Sequence, residues 1–249
     1  MGHMPGNLAY RAYQFIWELL DWLYPPECGG CGRPGTRWCS ECYASTTEIN
    51  PPVCPICGSP NFRDEPCMRC EVSHPSFTSL RSYAVFTGSI RSALHRLKYR
   101  RDIGLGEVLA RPMIEKLLKL NWSLDIVTSV PLGLVRFEER GYNQATLLAR
   151  PIALSMHLPF STQLLSRTRE TRSQVGLTVS ERQENMADAF RAISKSVRGK
   201  NILVVDDVAT SGATFNACAK ALIEGGASKV YGFSLARAVY TPTNEIDIS

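Results

Sequence analysis

The segment from Ile202 to Thr214, ILVVDDVATSGAT, constrains the fold of this 249-residue chain more than any other stretch. Its first four residues are all apolar, which is typical of a strand buried on both faces of a parallel sheet. Asp206 and Asp207 follow at the end of this strand, and a short loop of small and hydroxyl-bearing residues then leads into a helix-forming segment. In open α/β sheets, ligands bind at this carboxyl edge. The segment therefore predicts an α/β domain with a ligand site beside the two aspartates.

The loop after the aspartates is suited to a phosphate group, because backbone N–H groups at a helix N-terminus bind anions. The aspartates cannot bind phosphate themselves, so we expect them to serve sugar hydroxyls or a divalent metal. A phosphate, a diol and a metal side by side describe a phosphorylated ribose. The segment resembles the signature with which type I phosphoribosyltransferases bind 5-phosphoribosyl 1-pyrophosphate (PRPP). The resemblance implies ribose and Mg²⁺ contacts at Asp206 and Asp207, and PRPP contacts at Val208, Ala209, Thr210, Ser211, Gly212, Ala213 and Thr214.

A different interpretation of this segment is a βα turn whose two aspartates are merely solvated. Parallel sheets contain many apolar strands that end in Asp, so the aspartates alone are weak evidence. The ordered combination of strand, acidic pair, TSGAT and helix is much more specific. A Walker A phosphate loop is excluded, because the pattern GxxxxGK[ST] does not occur in the sequence.

Eight of the nine cysteines form four CxxC pairs near the N-terminus. Two thiolates three residues apart can share one metal ion on a tight turn, and two such turns complete a tetrahedral site. Glycine follows the first and the third pair, as a zinc knuckle requires, which favours two successive ribbons. The predicted ligands are Cys28, Cys31, Cys39 and Cys42 in the first site, and Cys54, Cys57, Cys67 and Cys70 in the second.

A cross-braced arrangement, in which residues 28/31 share an ion with 54/57, is the alternative pairing. Disulfides are a competing explanation, but they are rare in the cytosol. All-cysteine sites have no open coordination position, so we expect structural zinc that supplies folding free energy to a segment too small to fold alone. The ninth cysteine, Cys218, is predicted to be a buried small apolar side chain.

The remaining sequence divides into five regions. The pattern predicts strands near 80–86, 125–130, 162–165 and 229–235, and helices near 89–99, 106–120, 144–156, 180–186 and 215–224. Such alternation favours a central parallel sheet flanked by helices. The predicted regions are an expression-vector remnant at 1–4, an amphipathic helix at 5–26, a double zinc ribbon at 27–73, a phosphoribosyltransferase-like domain at 78–240 and a C-terminal tail at 241–249.

Two further segments are predicted to join the ligand site. Val130-Pro-Leu-Gly133 follows a predicted strand, so the amides of Leu132 and Gly133, with the nearby Arg140, are expected to face pyrophosphate. The polar stretch 167–185 is rich in arginine, and Arg169 is expected to act there on the leaving pyrophosphate. The alternatives are a helix-start loop with surface charges in the first case and a solvated surface loop in the second.

A narrower resemblance joins these segments. Five segments together closely resemble the ComF family of competence-associated, phosphoribosyltransferase-like proteins. These are the double CxxC ribbons, LHRLKYR at 94–100, VPL with RGYNQ, RTRETRSQVGL and VVDDVATSGAT. The resemblance covers residues 24–237. It implies the type I phosphoribosyltransferase fold with an N-terminal zinc-ribbon region, PRPP binding with Mg²⁺, two structural zinc ions, and a role in DNA uptake during natural transformation beside a helicase-like competence protein.

Charge and composition leave a second function open. The net charge is +5, and residues 71–249 hold more positive charge than the whole chain, which would attract either a polyanionic substrate or nucleic acid. The basic run 91–101 suits phosphates of single-stranded DNA, so a non-catalytic PRPP sensor or DNA-binding protein is the alternative to a transferase. No apolar run approaches the ~20 residues of a membrane span. The expected location is cytoplasmic, without a membrane span.

Overall fold

The computed structural model describes residues 8–168, 189–193 and 195–239. These ranges contain eight α-helices and six β-strands. The helices are α1 (Leu8–Leu23), α2 (Ser40–Ala44), α3 (Met68–Ser73), α4 (Gly88–Tyr99), α5 (Leu105–Lys119), α6 (Leu134–Arg140), α7 (Gln144–Ser155) and α8 (Ala213–Glu224). The strands are β1 (Ser79–Val85), β2 (Ile126–Ser129), β3 (Leu165–Arg167), β4 (Phe190–Ala192), β5 (Asn201–Ala209) and β6 (Lys229–Arg237).

Four strands form a parallel sheet in the order β1-β6-β5-β2. β5 is an inner strand, and its apolar residues alternate between two hydrophobic clusters. Leu203 and Val205 pack with α4, α5 and α7 on one face, whereas Ile202 and Val204 pack with α8 on the other. A strand with both faces covered reads as a continuous apolar run, which is why ILVV precedes the aspartates. The predicted α/β class with a parallel sheet flanked by helices is confirmed.

Two elements differ from the sequence expectation. The strand predicted at 162–165 forms at Leu165–Arg167, and it pairs antiparallel with β4, which was not predicted. Strands of three residues carry too little periodicity to be recognised in a sequence. Residues 134–140, for which no helix was predicted, form helix α6, which ends at the left-handed Gly141. The helix predicted at 180–186 lies outside the described residues.

Helix α1 packs along the α5–α7 side of the molecule. Tyr10 is buried, and Trp17 contacts Tyr13 edge-on with ring centroids 6.3 Å apart. The inner face of α1 is therefore apolar, and large apolar side chains also occupy its outer face. Within the described ranges, no helix is both long enough and apolar enough to cross a bilayer.

Candidate functional site

The two aspartates lie at the carboxyl end of β5, next to the helix that follows it. Asp207 is buried, whereas Asp206 is partly exposed, because successive residues of a strand point to opposite faces. The Oδ1 atom of Asp206 accepts a hydrogen bond of 2.8 Å from the amide of Asp207. The strand thus presents a carboxylate pair at the sheet edge where parallel α/β proteins bind ligands.

Lys98 of α4 forms an ion pair with Asp207 of β5. The side-chain amide of Gln144 approaches the other carboxylate oxygen of Asp207 at 3.4 Å. Burial alone would raise the pKa of Asp207, but the ammonium of Lys98 and these hydrogen bonds lower it to about 2. Burial, and then the charge on Asp207, raise the pKa of Asp206 well above its ordinary range. One carboxylate is therefore held ionised while its neighbour is easily protonated.

The loop after the aspartates turns sharply into α8. Gly212 has a left-handed φ of 83°, a conformation that side chains with a Cβ rarely adopt, and it precedes the first residue of the helix. The hydroxyl of Ser211 accepts a hydrogen bond of 3.4 Å from the amide of Ala213. The helix N-terminus therefore opens beside the carboxylate pair, in the arrangement that binds phosphate in other helices.

The RGYNQ motif joins three parts of the site. Asn143 caps α7 by accepting from the amide of Ala145 at 3.0 Å, and its own amide donates to the carbonyl of Val130 at 2.8 Å. The hydroxyl of Tyr142 donates to the carbonyl of Leu97. The motif thereby holds the end of β2 and the last turn of α4 against the start of α7, and α4 in turn carries Lys98.

Arg140 is connected to the carboxylate pair through Gln144. Its guanidinium donates to Oε1 of Gln144 at 2.9 Å and lies over the ring of Tyr99, with 5.2 Å to the ring centroid. Gly133 precedes α6 in an extended conformation, with a φ of −65° and a ψ of 150°. Whether Leu132, Gly133 and Arg140 meet pyrophosphate stays a prediction.

Several predicted site residues are therefore neighbours, and two important ones were missed. Residues 206–214 form one continuous edge, and Arg140 reaches it through Gln144. Arg169 lies outside the described residues. Lys98 and Gln144 were not predicted as site residues, although they lie in the motifs LHRLKYR and RGYNQ. Only the packing of α4 and α7 against β5 brings these two side chains to Asp207.

The basic run 91–101 is partly used inside the molecule. Arg96 pairs with Asp102 at 3.1 Å and with Glu27 at 3.3 Å, and Lys98 pairs with Asp207. His95 and Tyr99 are exposed, with ring centroids 4.9 Å apart. Two of the predicted DNA-contacting cations therefore have structural partners, which weakens the interpretation of this run as a continuous nucleic-acid surface.

The eight cysteines of the CxxC pairs form two compact groups. In each group the sulfur atoms lie within 4.8 Å of one another, and the groups are Cys28, Cys31, Cys39, Cys42 and Cys54, Cys57, Cys67, Cys70. The sequential pairing is confirmed, and the cross-braced alternative is excluded. Cys218 is fully buried in the core, as predicted.

The geometry of both groups fits zinc. One sulfur pair in each group, Cys31–Cys39 in the first and Cys57–Cys67 in the second, is 3.7 Å apart, and a tetrahedron with Zn–S bonds of about 2.3 Å has edges of roughly 3.8 Å. This separation is far too long for disulfide bonds. Backbone amides of Cys39 and Cys67 approach the first sulfur of their own group at 3.4 Å, as expected for thiolate ligands. These two groups are zinc-binding sites with four cysteine ligands each.

The second zinc site adjoins the candidate ligand loop. Arg237, which is almost completely buried at the end of β6, donates to the carbonyl of Cys57 and lies 3.5 Å from the carbonyl of Thr210. A cleft between ribbon and loop is lined on one side by Arg69 and on the other by Ser211 and Gly212. The second ribbon is thus part of the wall around the loop.

Comparison with protein families matches both parts of the chain. Residues 19–71 match a family described as a double zinc ribbon domain. Residues 105–238 match a family described as a phosphoribosyl transferase domain. The second match spans the carboxylate pair, the loop and the RGYNQ motif, so the strands from β2 to β6 and the helices from α5 to α8 belong to a phosphoribosyltransferase-like domain.

Curated relatives contain both parts together. The DNA utilization protein YhgH of Escherichia coli K12 is 31% identical over 225 residues, covering 86% of this chain and 98% of that protein. Competence protein F of Haemophilus influenzae is 28% identical over 211 residues, covering 80% and 90%. Competence protein ComFC of Bacillus subtilis is 27% identical over 217 residues, covering 83% and 86%. The chain therefore belongs to the ComF family of competence-type proteins, in which a double zinc ribbon precedes a phosphoribosyltransferase-like domain.

Proposed function

We propose that this protein binds PRPP with Mg²⁺ at the edge of β5 and transfers its phosphoribosyl group to an acceptor. The observation that carries the proposal is the placement of Asp206 and Asp207 directly beside the N-terminus of α8. A helix N-terminus binds phosphate, and carboxylates accept hydrogen bonds from sugar hydroxyls and coordinate Mg²⁺. These groups together match a ribose 5-phosphate in their chemistry.

The unequal pKa values of the carboxylate pair support this assignment. Asp207 is ionised by its contact with Lys98, whereas the pKa of Asp206 is raised by burial and by Asp207. A vicinal diol offers two hydroxyls that donate hydrogen bonds, so it would stabilise the ionised form of both residues. Mg²⁺, which prefers carboxylate oxygens, would favour the same ionised form. Lys98 would then be released from Asp207 toward a phosphate oxygen.

The pyrophosphate end of PRPP would lie toward the start of α6 and α7. Arg140 is a cation on this side, and its guanidinium is oriented by Gln144 and Tyr99. The amides of Leu132 and Gly133 and the side chain of Arg169 complete the proposed set. Positive charge here would stabilise the leaving group as the bond to the ribose carbon C1 breaks.

The proposed reaction is displacement of pyrophosphate at C1 of the ribose through a transition state with oxocarbenium character. Asp206 and Asp207 would orient the sugar by its hydroxyls, and the 210–214 loop would hold its 5-phosphate. The described site residues include no side chain that is clearly placed as a general base. We therefore propose an acceptor that supplies its own nucleophilic nitrogen.

Titration calorimetry with PRPP and Mg²⁺ tests the binding half of the proposal. The double variant Asp206→Ala/Asp207→Ala should show no measurable binding, while zinc content and far-UV dichroism stay at wild-type values. Glu224→Ala, at the far end of α8, is the matched control and should bind normally. Wild-type protein that shows no heat of binding, or a double variant that binds as well as wild type, would reject the site.

Pyrophosphate release with PRPP, Mg²⁺ and a panel of nucleobases and amines tests the catalytic half. Release that depends on one acceptor and disappears in Asp207→Ala would support a transferase. Tight PRPP binding without release on any acceptor would instead favour a PRPP sensor. These two experiments test the donor site and the acceptor separately.

We further propose a cytoplasmic role in DNA uptake during natural transformation, with single-stranded DNA and a helicase-like competence protein as partners. The relatives named for competence and DNA utilization support this proposal. The exposed ring of Tyr99, beside His95 and Arg140, is a surface on which a nucleobase could stack. Fluorescence anisotropy with single-stranded DNA should show binding that weakens steeply with salt and is reduced in Tyr99→Ala, and salt-independent binding would contradict it.

A further inference from the structure

Helix α1 has two opposite apolar faces, and the described residues cover only one of them. Tyr10 and Trp17 lie on the inner face, where Tyr10 is buried and Trp17 is covered by the guanidinium of Arg37, 5.1 Å from its ring centroid. A helix face that carries several large apolar side chains is normally buried against another element. The outer face of α1 therefore needs a partner.

The outer face carries the spacing of a helix–helix seam. Leu8, Ala12, Phe15, Leu19 and Trp22 follow one another at alternating intervals of four and three residues, which is the heptad pattern of helices that pack along their length. We name these five residues the α1 seam. Phe15 is 64% exposed, Leu19 48% and Trp22 79%. Large apolar side chains exposed side by side mark an interaction surface.

The charges of α1 argue against a lipid surface as the partner. Helices that lie on membranes are rich in Lys and Arg on their polar face. Helix α1 carries one cation, Arg11, against the two acids Glu18 and Asp21. Asp21 is already paired with Arg37 on the inner side. An anionic bilayer would thus gain little from this helix.

The same charges are complementary to a second copy of the helix. If two α1 helices pack antiparallel, Ala12 of one copy can lie against Phe15 of the other, and Leu8 against Leu19. This register fits a small side chain against a large one. It also sets Arg11 opposite Glu18 of the second copy and, by the two-fold symmetry, Glu18 opposite the Arg11 of that copy.

We propose that helix α1 is a homodimerisation element, and that two copies of this chain pair antiparallel through their α1 seams. The α1 surface lies on the α5–α7 side of the sheet, and none of its seam residues belongs to the PRPP site proposed above. Dimerisation and PRPP binding can therefore be measured independently, and the proposal does not depend on the proposed activity.

Sedimentation velocity of the zinc-loaded full chain is the first test. Wild type should sediment as a dimer at micromolar concentration. Leu19→Glu should sediment as a monomer while it retains two zinc ions per chain. A monomeric wild type, or a Leu19→Glu variant that remains dimeric, would overturn the proposal. Wild type that binds phosphatidylglycerol vesicles as a monomer would overturn it in favour of a lipid surface.

Charge reversal tests the register and does not remove any apolar side chain. Arg11→Glu and Glu18→Arg should each weaken the homodimer by about tenfold, because each reversal turns two attractive pairs into repulsive ones. An equimolar mixture of these two variants should restore wild-type affinity as a heterodimer, since both pairs are again complementary. Lys119→Glu, an exposed reversal outside α1, is the control and should leave the dimer unchanged. A mixture that remains as weak as the single variants would refute the antiparallel register.

Discussion

The two zinc ribbons share the spacing of their cysteines but differ in how they join the rest of the molecule. In the first ribbon Cys31 is exposed, whereas no ligand of the second is exposed. The first ribbon is joined to its neighbours by ion pairs of Arg37, one with Asp21 of α1 and one with Asp102, which precedes α5. The second ribbon contributes three cysteines to the hydrophobic cluster beneath α8.

The second ribbon is also tied to β1 and to the ligand loop. The amide of Leu80 donates to the carbonyl of Ile56 at 2.7 Å, and Arg81 donates to the carbonyl of Pro55 at 3.0 Å. Arg237 extends this connection to Thr210. One metal motif thus holds peripheral elements together in the first ribbon and forms part of the site wall in the second. The surroundings of the ligands, not the ligands themselves, make this difference.

Loss of a ligand from each ribbon should separate these two roles, and it is the largest expected effect. Cys54→Ser and Cys31→Ser should each reduce the zinc content from two ions to one. Cys54→Ser should also lower the melting temperature by about 10 °C or more and abolish PRPP binding, because the metal supplies folding free energy to a ribbon embedded in the core. Cys31→Ser should cost less stability and leave PRPP affinity intact. Equal losses of affinity in both variants, measured by calorimetry, would contradict the comparison.

Arg237 is the next test, since it connects the second ribbon to the loop. Burial lowers the pKa of Arg237 to about 10, so it stays charged at neutral pH. Arg237→Met should destabilise the fold by about 2–3 kcal/mol, because the carbonyls of Cys57 and Thr210 lose their donor. PRPP affinity, measured by calorimetry, should fall as well.

Arg81→Met is the matched control for that variant. Arg81 bonds the same ribbon through Pro55, and its hydrogen bonds to that ribbon do not extend to the ligand loop. Its replacement should lower the stability measured by urea unfolding without changing the affinity for PRPP. If Arg81→Met weakened PRPP binding as much as Arg237→Met, the contact of Arg237 with Thr210 would not explain the loss of affinity.

A pH series separates the ligand site from both ribbons. Above pH 6 the zinc-bound thiolates should stay loaded, so a pH dependence in this range reports on other groups. The pKa of Asp206 is raised in the folded protein. Its contribution to the free energy of unfolding is therefore present below its pKa in the unfolded chain and is lost as the pH rises through its folded pKa. Asp206→Asn, which keeps the neutral form, should melt higher than wild type, by a margin that grows with pH up to the folded pKa of Asp206 and is constant above it. If calorimetric scans showed that this difference in melting temperature shrinks with rising pH, the pKa of Asp206 would not be raised in the folded protein.

The smallest effect is expected at the outer surface of the first ribbon. Arg33 and Glu41 form an ion pair whose side chains are both largely exposed. Exposed ion pairs contribute little, because water and salt screen them. Arg33→Ala should leave zinc content and melting temperature unchanged within error. A clear fall in either quantity would mean that the first ribbon is less peripheral than its exposure indicates.

Much of the fold followed from local patterns. The ILVV run, the helical periodicity of residues 89–99 and 106–120, and the glycines after the first and third CxxC pairs predicted elements that are present. Gly32 and Gly58 have left-handed φ values of 78° and 68°, as the knuckle turns require. Helix α6 and the β3–β4 pair were missed, because short elements depend on their tertiary neighbours more than on their own periodicity.

The candidate site divides in the same way. Asp206, Asp207 and the loop to Thr214 are contiguous, so the sequence alone was sufficient to group them. Lys98 and Gln144 are distant in the chain, and a lysine in a basic helix looks like a surface charge. Their meeting with Asp207 became visible only when α4 and α7 were packed against β5.

The sequence by itself determined the α/β class, the two metal-binding groups and the acidic edge beside a helix start, because each is encoded by neighbouring residues with a characteristic spacing. The tertiary structure alone decided which cation neutralises Asp207, which ribbon touches the ligand loop, and which face of α1 stays uncovered. The physical reason is that spacing along the chain sets local conformation, whereas charge pairing and burial depend on residues that only folding brings within a few ångströms of each other.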